Sequence, residues 1–110
     1  MLLEIHERIA LLEIMPKESD YAGLKALRVA RENISLTPEE IEFIHYQVIT
    51  EGDKTRLYWD IPLALDAIRD IPIDDYVSGV ISDTLAALSK KKKLSERYYS
   101  VYEKFVLMGS

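Results

Sequence analysis

The chain has 110 residues, of which 48% are hydrophobic and 30% charged, and these values favour one soluble globular domain over residues 1–110. No apolar run approaches the ~20 residues that cross a bilayer, and the absence of cysteine excludes disulfides, thiolate nucleophiles and sulfur-ligated zinc. The net charge of −5 opposes contact with nucleic-acid phosphates over most of the surface.

The first residues, MLLEIHERIALLEIM, predict a helix. They lack a basic leader and a small-residue cleavage site, so we expect a cytoplasmic protein without a secretory signal. One helix face carries Leu2, Ile5, Ile9 and Leu12, and a second apolar strip consists of Leu3, Ala10 and Ile14. A helix with two such strips is expected to be covered on both sides, and Pro16 is expected to end it.

A second helix is predicted at residues 20–34, with Ser19 as its N-cap. Its inner face contains Leu24, Leu27, Ala30 and Ile34, and Arg31 projects from the same face. Two interpretations of Arg31 stay open. Either it lies at the rim of the core with its head paired to a carboxylate, or it is a buried anchor for a partner protein.

The segment Thr37-Pro38-Glu39-Glu40 has the pattern of a capping box with proline at the first helical position. It predicts a short helix from Pro38 to about residue 44, with Ile41 and Ile44 facing inward. Two β-rich runs follow, at residues 46–50 and 55–59, and the glycine-containing turn between them predicts a hairpin. Residues 60–73 are expected to form a connection and then a third strand near residues 67–71.

Asp74 is the expected N-cap of the next helix, whose apolar arc consists of Val77, Val80, Ile81, Thr84, Leu85 and Leu88. A last helix is predicted from Ser95, with an inward stripe of Tyr98, Val101, Tyr102 and Phe105 that Tyr99 and Val106 widen. The predicted class is therefore α+β. It has three N-terminal helices, a small antiparallel sheet made of the hairpin and a possible third strand, and two C-terminal amphipathic helices.

The order of three helices and a hairpin is also that of a winged-helix DNA-binding domain. In that fold the third helix enters the major groove, but here it carries Glu39, Glu40 and Glu42 and no base, which opposes contact with a duplex. Nucleic-acid binding through a local basic patch is kept as the alternative. Its residues are Lys25, Arg28, Arg31, Lys90, Lys91, Lys92, Lys93 and Arg97, although cations at residues 90–93 are also explained by the dipole at the end of a helix.

No set of residues in the sequence predicts catalysis. His6 and His45 do not have the spacing that places two metal ligands on one helix face, and Asp74-Asp75 is explained by capping. The glycines stand alone and no serine lies in a nucleophile elbow. We therefore expect no catalytic site, no metal site and no cofactor, and we expect that the protein is not an enzyme.

Aromatic residues instead indicate protein–protein contact, because tyrosine gives a large contact area with a polar tip. The chain has 7 tyrosines, and the second apolar strip of the first helix also needs cover. We therefore predict a protein partner and a homo-oligomer, with a dimer preferred. The predicted partner-binding residues are Arg31, Tyr58, Trp59, Tyr98, Tyr99 and Tyr102.

The segments LLEIMPKESDYAGLKALRVAREN and KKKLSERYYSVYEKF resemble those of small uncharacterised proteins encoded by tailed bacteriophages and prophages. The resemblance covers roughly half of the chain and contains no catalytic motif. It implies a non-enzymatic protein in the host bacterial cytosol that acts by protein–protein contact. Such a protein either modulates a host protein or assembles with copies of itself as an accessory protein.

Overall fold

Helices predominate in residues 1–108, the part of the chain that the computed structural model describes. The structure confirms the predicted α+β class. The prediction of a single domain over residues 1–110 also includes residues 109 and 110, which lie outside the described residues. The helices are α1 (Ile5–Ile14), α2 (Tyr21–Ile34), α3 (Pro38–Phe43), α4 (Ile61–Leu65), α5 (Asp75–Lys90) and α6 (Tyr99–Tyr102). The strands are β1 (Leu2–Leu3), β2 (Gln47–Glu51), β3 (Lys54–Tyr58) and β4 (Arg69–Asp70).

Side-chain caps fix where α2, α3 and α5 begin. The capping box of α3 is confirmed, because the Thr37 hydroxyl accepts a hydrogen bond from the Glu40 N–H at 3.1 Å and the Glu40 carboxylate accepts one from the Thr37 N–H at 2.9 Å. Asp74 caps α5, also as predicted. The prediction of Ser19 as the cap of α2 was wrong, since the Asp20 carboxylate accepts the hydrogen bond from the backbone N–H three residues later.

The predicted hairpin is present as the antiparallel pair β2–β3, with Gln47 opposite Tyr58 and Glu51 opposite Lys54. Its tight turn contains Gly52 at a φ of 61°, a conformation that residues with a side chain rarely adopt. One face of the hairpin lies over α1, and the other faces solvent.

The third strand exists as β4 but does not join the hairpin. It pairs with β1 at the N-terminus, with Leu2 opposite Asp70 and Leu3 opposite Arg69. The predicted first helix therefore starts later than expected, at Ile5. A pairing of two residues with two others, far apart in sequence, leaves no periodic pattern in either segment.

Apolar clusters cover α1 on two sides, as expected, but the predicted first strip was wrong for Leu2, which is 62% exposed in β1, and for Leu12, which packs against the main core. Leu3 and Leu11 belong to the main core, which α2, α5 and the C-terminal residues complete. Ile5 and Ile9 belong to a second cluster, which the hairpin covers with Leu57 and other side chains. A dimer was predicted partly because the second apolar strip of the first helix needed cover. Other parts of the same chain provide that cover, so the apolar strips of α1 give no reason to expect a dimer.

The short helix α3 meets the second cluster only with its C-terminal end. Ile44 is fully buried there, whereas Ile41 is 38% exposed, so the prediction that both face inward was wrong for Ile41. A helix of six residues ends before a second turn can place Ile41 against the core. The chain then reverses at His45, whose φ is 55°, and enters β2.

The last helical segment changes its geometry along its length, from a 3₁₀ turn (Glu96–Tyr98) through α6 to a π-helical turn (Glu103–Leu107). Val101 and Phe105 are buried, which confirms the centre of the predicted stripe. Tyr99 is 61% exposed and does not widen it. Among the helices of residues 1–108, none combines the length and the apolar character needed to span a membrane.

Candidate interaction surface

Three exposed aliphatic side chains lie on and just after α4, an element that the sequence analysis did not predict. The Asp60 carboxylate caps this helix by accepting a hydrogen bond from the Leu63 N–H at 3.1 Å. Ile61 and Leu65 point away from the core with 64% and 56% of their surface exposed, and Ile68 just past the helix is 49% exposed. Ile61, Leu65 and Ile68 are called the α4 patch below.

Two clefts adjoin the α4 patch. The nearer has a volume of about 190 Å³ and is lined by Ile61 and Leu65 together with Ile5, His6 and Trp59. The farther has a volume of about 350 Å³ and lies between α1 and β3, again with His6 and Trp59 in its wall. The clefts share these two residues, so they are neighbours along α1, and the pair of clefts is called the groove below.

The predicted pair Tyr58 and Trp59 points in two directions, as alternation along a strand requires. Tyr58 is exposed on the outer face of the hairpin, where the Arg56 guanidinium donates to its hydroxyl at 3.4 Å. Trp59 is half-buried and stacks on Tyr46, with 6.3 Å between ring centroids. Only Trp59 thus belongs to the groove beside the α4 patch.

The three C-terminal tyrosines do not form one surface. Tyr98 and Tyr102 pack against the main core, and only Tyr99 is exposed. The Tyr98 hydroxyl donates to Glu13 at 3.4 Å, and burial together with the Glu13 charge raises the pKa of Tyr98 although nearby Arg97 lowers it. Arg97 also pairs with Glu13. These contacts attach the C-terminal segment to α1.

Arg31 is half-buried, and its guanidinium donates to the Pro16 carbonyl oxygen at 2.5 Å. That carbonyl lies just beyond the end of α1, where backbone acceptors lack partners within the helix. The contact supports the interpretation of Arg31 as a rim residue, with a backbone acceptor in place of the carboxylate that was expected.

The fully buried arginine of this protein is Arg8, which the sequence analysis did not single out. Its guanidinium binds both oxygens of Glu40, at 2.5 and 3.0 Å, and also donates to the Ile34 and Ser35 carbonyls. Burial raises the pKa of Glu40, but the hydrogen bonds from Arg8 and Thr37 outweigh it and lower the pKa to about 2. Glu40, one of the acids that argued against a DNA-reading helix, thus has a structural role.

A second buried ion pair joins Glu7 to Lys104 at 2.6 Å. Burial raises the pKa of Glu7, but hydrogen bonds from the Glu4 N–H, Lys104 and Ser100 outweigh it, so the pKa is lowered. Glu7 and Arg8 lie between the two apolar strips of α1. A helix covered on both sides must bury the polar residues that lie between its two apolar strips. The position of Glu7 and Arg8 between these strips was therefore a signal in the sequence that they are buried.

The basic residues of the nucleic-acid alternative are spread over separate elements. Lys25 and Arg28 are exposed on α2 beside Glu32, whereas Lys90 is exposed at the end of α5 and residues 91–93 are exposed in the turn that follows. The remaining two, Arg31 and Arg97, are engaged by a carbonyl and a carboxylate respectively.

Comparison with known proteins adds no relative. No protein-family model matches the chain, and no curated protein or solved structure is significantly similar to it. The resemblance to bacteriophage and prophage proteins stays a prediction.

Proposed function

We propose that the protein acts by protein–protein contact, and that a second copy of the chain occupies the α4 patch to form a dimer. The observation that carries the proposal is the exposure of Ile61 and Leu65 at the nearer cleft, with Ile68 exposed just past the same helix. Removing apolar surface from water contributes about 25 cal/mol per Å². Exposed aliphatic side chains that adjoin one another are therefore typical of an interaction site.

Charge favours a second copy as the occupant. The chain has a net charge of −5, so most of its surface repels an identical surface. The helix α4, with the sequence IPLAL, contains no charged residue. Contact through Ile61 and Leu65 therefore avoids charges within α4 itself, but Asp60 and Asp66 flank the helix and Glu4 lines the nearer cleft, so we expect added salt to strengthen dimerisation.

Shape also favours a second copy. In a two-fold dimer each chain presents the same surface to the other, so a projecting part must lie beside a recess that receives it. The α4 patch and the groove that contains Trp59 have this relation, because the nearer cleft begins at Ile61 and Leu65. The projecting side chains of one copy would enter the groove of the other.

The contact is expected to be weak and reversible. Stable specific interfaces bury about 1,200–2,000 Å² in total, and three side chains with the adjoining groove supply the lower part of that range at most. A dimer of this kind suits the self-assembling accessory role that the bacteriophage resemblance implies.

Sedimentation velocity from about 1 µM to about 1 mM protein tests the proposal, because a weak dimer dissociates within this range. We expect the wild-type sedimentation coefficient to rise with concentration. Leu65→Glu places carboxylates from both copies at the contact, and it should raise the dissociation constant at least about tenfold, which corresponds to about 1.4 kcal/mol.

Tyr21→Glu is the matched control, since Tyr21 is an exposed aromatic residue on α2, outside the patch and the groove. It should leave dimerisation unchanged. A wild-type protein that stays monomeric throughout, or a Tyr21→Glu variant as defective as Leu65→Glu, would overturn the proposal.

A further inference from the structure

Three side chains that can bind a metal meet at the start of α1. Potential ligand atoms of Glu4, His6 and Glu7 lie within 4.8 Å of one another. Sequence spacing did not predict this site, because it depends on a second carboxylate and on how each side chain is turned. A group of this composition is not by itself a metal site. Whether it can bind an ion depends on the burial, the orientation and the hydrogen-bond partners of each side chain.

The carboxylate of Glu7 is the deciding group. One of its oxygens, Oε1, accepts hydrogen bonds from the Lys104 ammonium at 2.6 Å and from the Glu4 N–H at 2.9 Å. The other, Oε2, is buried and makes no hydrogen bond of normal geometry among residues 1–108, although the Ser100 hydroxyl lies close enough to this carboxylate to help lower its pKa. Buried oxygens in proteins nearly always have a partner, and an apparent exception commonly marks a bound water or ion.

His6 is oriented so that its two nitrogens have different neighbours. Its Nδ1 lies 4.0 Å from Glu4 Oε2, and its Nε2 lies 3.4 Å from the Ser100 hydroxyl oxygen. If Nε2–H donates to the Ser100 hydroxyl, Nδ1 carries the lone pair, and the nearest carboxylate on that side is that of Glu4. Metal-binding histidines are usually held in this way, by a hydrogen bond from the nitrogen that does not bind the metal.

We propose that Glu4, His6 and Glu7 bind one divalent cation of the zinc class, with Nδ1 of His6 and one oxygen from each carboxylate as ligands. Two carboxylates and an imidazole suit Zn²⁺, Co²⁺ and Ni²⁺. In a tetrahedral zinc site with bonds near 2.1 Å, ligand atoms lie about 3.4 Å apart. The ligand atoms lie up to 4.8 Å apart, so the exposed His6 and the partly exposed Glu4 must rotate toward each other to bind, and Glu4 would leave its capping position on α1.

The same surroundings limit the affinity. The Lys104 ammonium and the positive end of the α1 dipole both oppose a cation, whereas two carboxylates attract it. Lys104 also holds Oε1 of Glu7, which leaves Oε2 as the ligand and keeps the carboxylate ionised. We therefore expect a dissociation constant in the micromolar range.

Isothermal titration calorimetry with Zn²⁺, on protein without a polyhistidine tag and at a concentration where it is monomeric, tests the site. We expect one ion per chain, and at least tenfold weaker binding in His6→Ala and in Glu4→Gln. Both residues are at the surface or partly exposed, so these variants should fold, which circular dichroism can verify. Visible absorption of Co²⁺ would report four-coordinate geometry.

His45→Asn is the matched control, because it removes the other histidine and asparagine tolerates the positive φ of that position. It should bind Zn²⁺ like the wild type. The proposal is overturned if the wild type does not bind Zn²⁺, if His6→Ala binds it unchanged, or if His45→Asn is weakened as much as His6→Ala.

Discussion

Glu40→Gln removes the charge that compensates a fully buried guanidinium. In the wild type, Arg8 is completely shielded from solvent, and its two terminal nitrogens contact the two oxygens of Glu40. Glutamine keeps one acceptor oxygen but has no charge. The variant thus leaves the Arg8 guanidinium buried with uncharged carbonyl partners only. Removing one charge of a buried ion pair is strongly destabilising, because the other charge is left without compensation.

The pKa of Glu40 sets the expected magnitude. It falls from a usual value of 4.5 to about 2 in the folded protein, and at about 1.4 kcal/mol per pKa unit this difference corresponds to about 3 kcal/mol. Breaking a buried pair by removing one partner typically costs about 3–5 kcal/mol. We therefore expect Glu40→Gln to lower the free energy of unfolding by about 3 kcal/mol near neutral pH, a large part of the stability of a small domain.

Urea unfolding of the wild type, Glu40→Gln and Glu39→Gln measures this effect. Glu39 is the matched control, because it is the neighbouring acid in the first turn of α3 and its side chain is exposed. Its replacement loses the same favourable interaction with the helix dipole but no buried pair. We expect Glu39→Gln to change stability by no more than about 0.5 kcal/mol.

Unfolding measured at low pH provides an independent check that the ionised Glu40 carboxylate stabilises the folded protein. Because folding lowers the pKa of Glu40, its contribution is complete above the unfolded value of 4.5 and is lost as the pH falls toward about 2. The stability difference between wild type and Glu40→Gln should therefore shrink over that interval. A difference that stays constant with pH, or a Glu40→Gln variant as stable as Glu39→Gln, would refute the reasoning.

Three further predictions concern stability and are measured by urea or thermal unfolding. Gly79→Ala should stabilise the protein by about 0.5–1 kcal/mol, because it lies inside α5 with open space around it, whereas Gly23→Ala should destabilise it, because the new Cβ would overlap the Ser19 hydroxyl and lie 2.8 Å from the Asp20 carboxylate that caps α2; equal effects would contradict this contrast. Lys92→Gly should add about 1 kcal/mol, since Lys92 has a φ of 58° and glycine adopts it without strain; a loss of stability would contradict it. Lys104→Met should cost about 3 kcal/mol or more by leaving a buried carboxylate without its cation, and an effect below about 0.5 kcal/mol would argue against a stabilising pair.

Elements with strong local signals could be predicted from the sequence. The capping residues Thr37 and Asp74 mark the starts of α3 and α5 because a cap is a contact over three residues. The hairpin was predictable because alternation and the turn glycine, Gly52, are also local.

The contacts between distant segments were not predictable. The β1–β4 pair joins Leu2 to Asp70 through only two residues on each side. The burial of Arg8 depends on where α3 places Glu40, 32 residues away. Sequence reasoning could place Arg8 between two apolar strips, but it could not identify the partner that makes its burial possible.

The interaction surface shows the same division. Trp59 was predicted as a contact residue and lines the groove, because a lone tryptophan in a β-rich run is recognisable. The α4 patch was missed because α4 has only five residues, one of them Pro62, which is too short for helical periodicity to be decisive. Exposure of Ile61 and Leu65 is a property of the packed chain, since their sequence alone would suggest burial.

An isotope-filtered NOE experiment on an equal mixture of labelled and unlabelled protein tests most directly whether the α4 patch is the contact between copies. At a concentration where sedimentation detects dimers, we expect intermolecular NOEs between the methyl groups of Ile61, Leu65 or Ile68 of one copy and the Trp59 ring of the other. Dimers whose intermolecular NOEs involve other residues only, or an absence of dimers at the highest soluble concentration, would contradict the proposed contact.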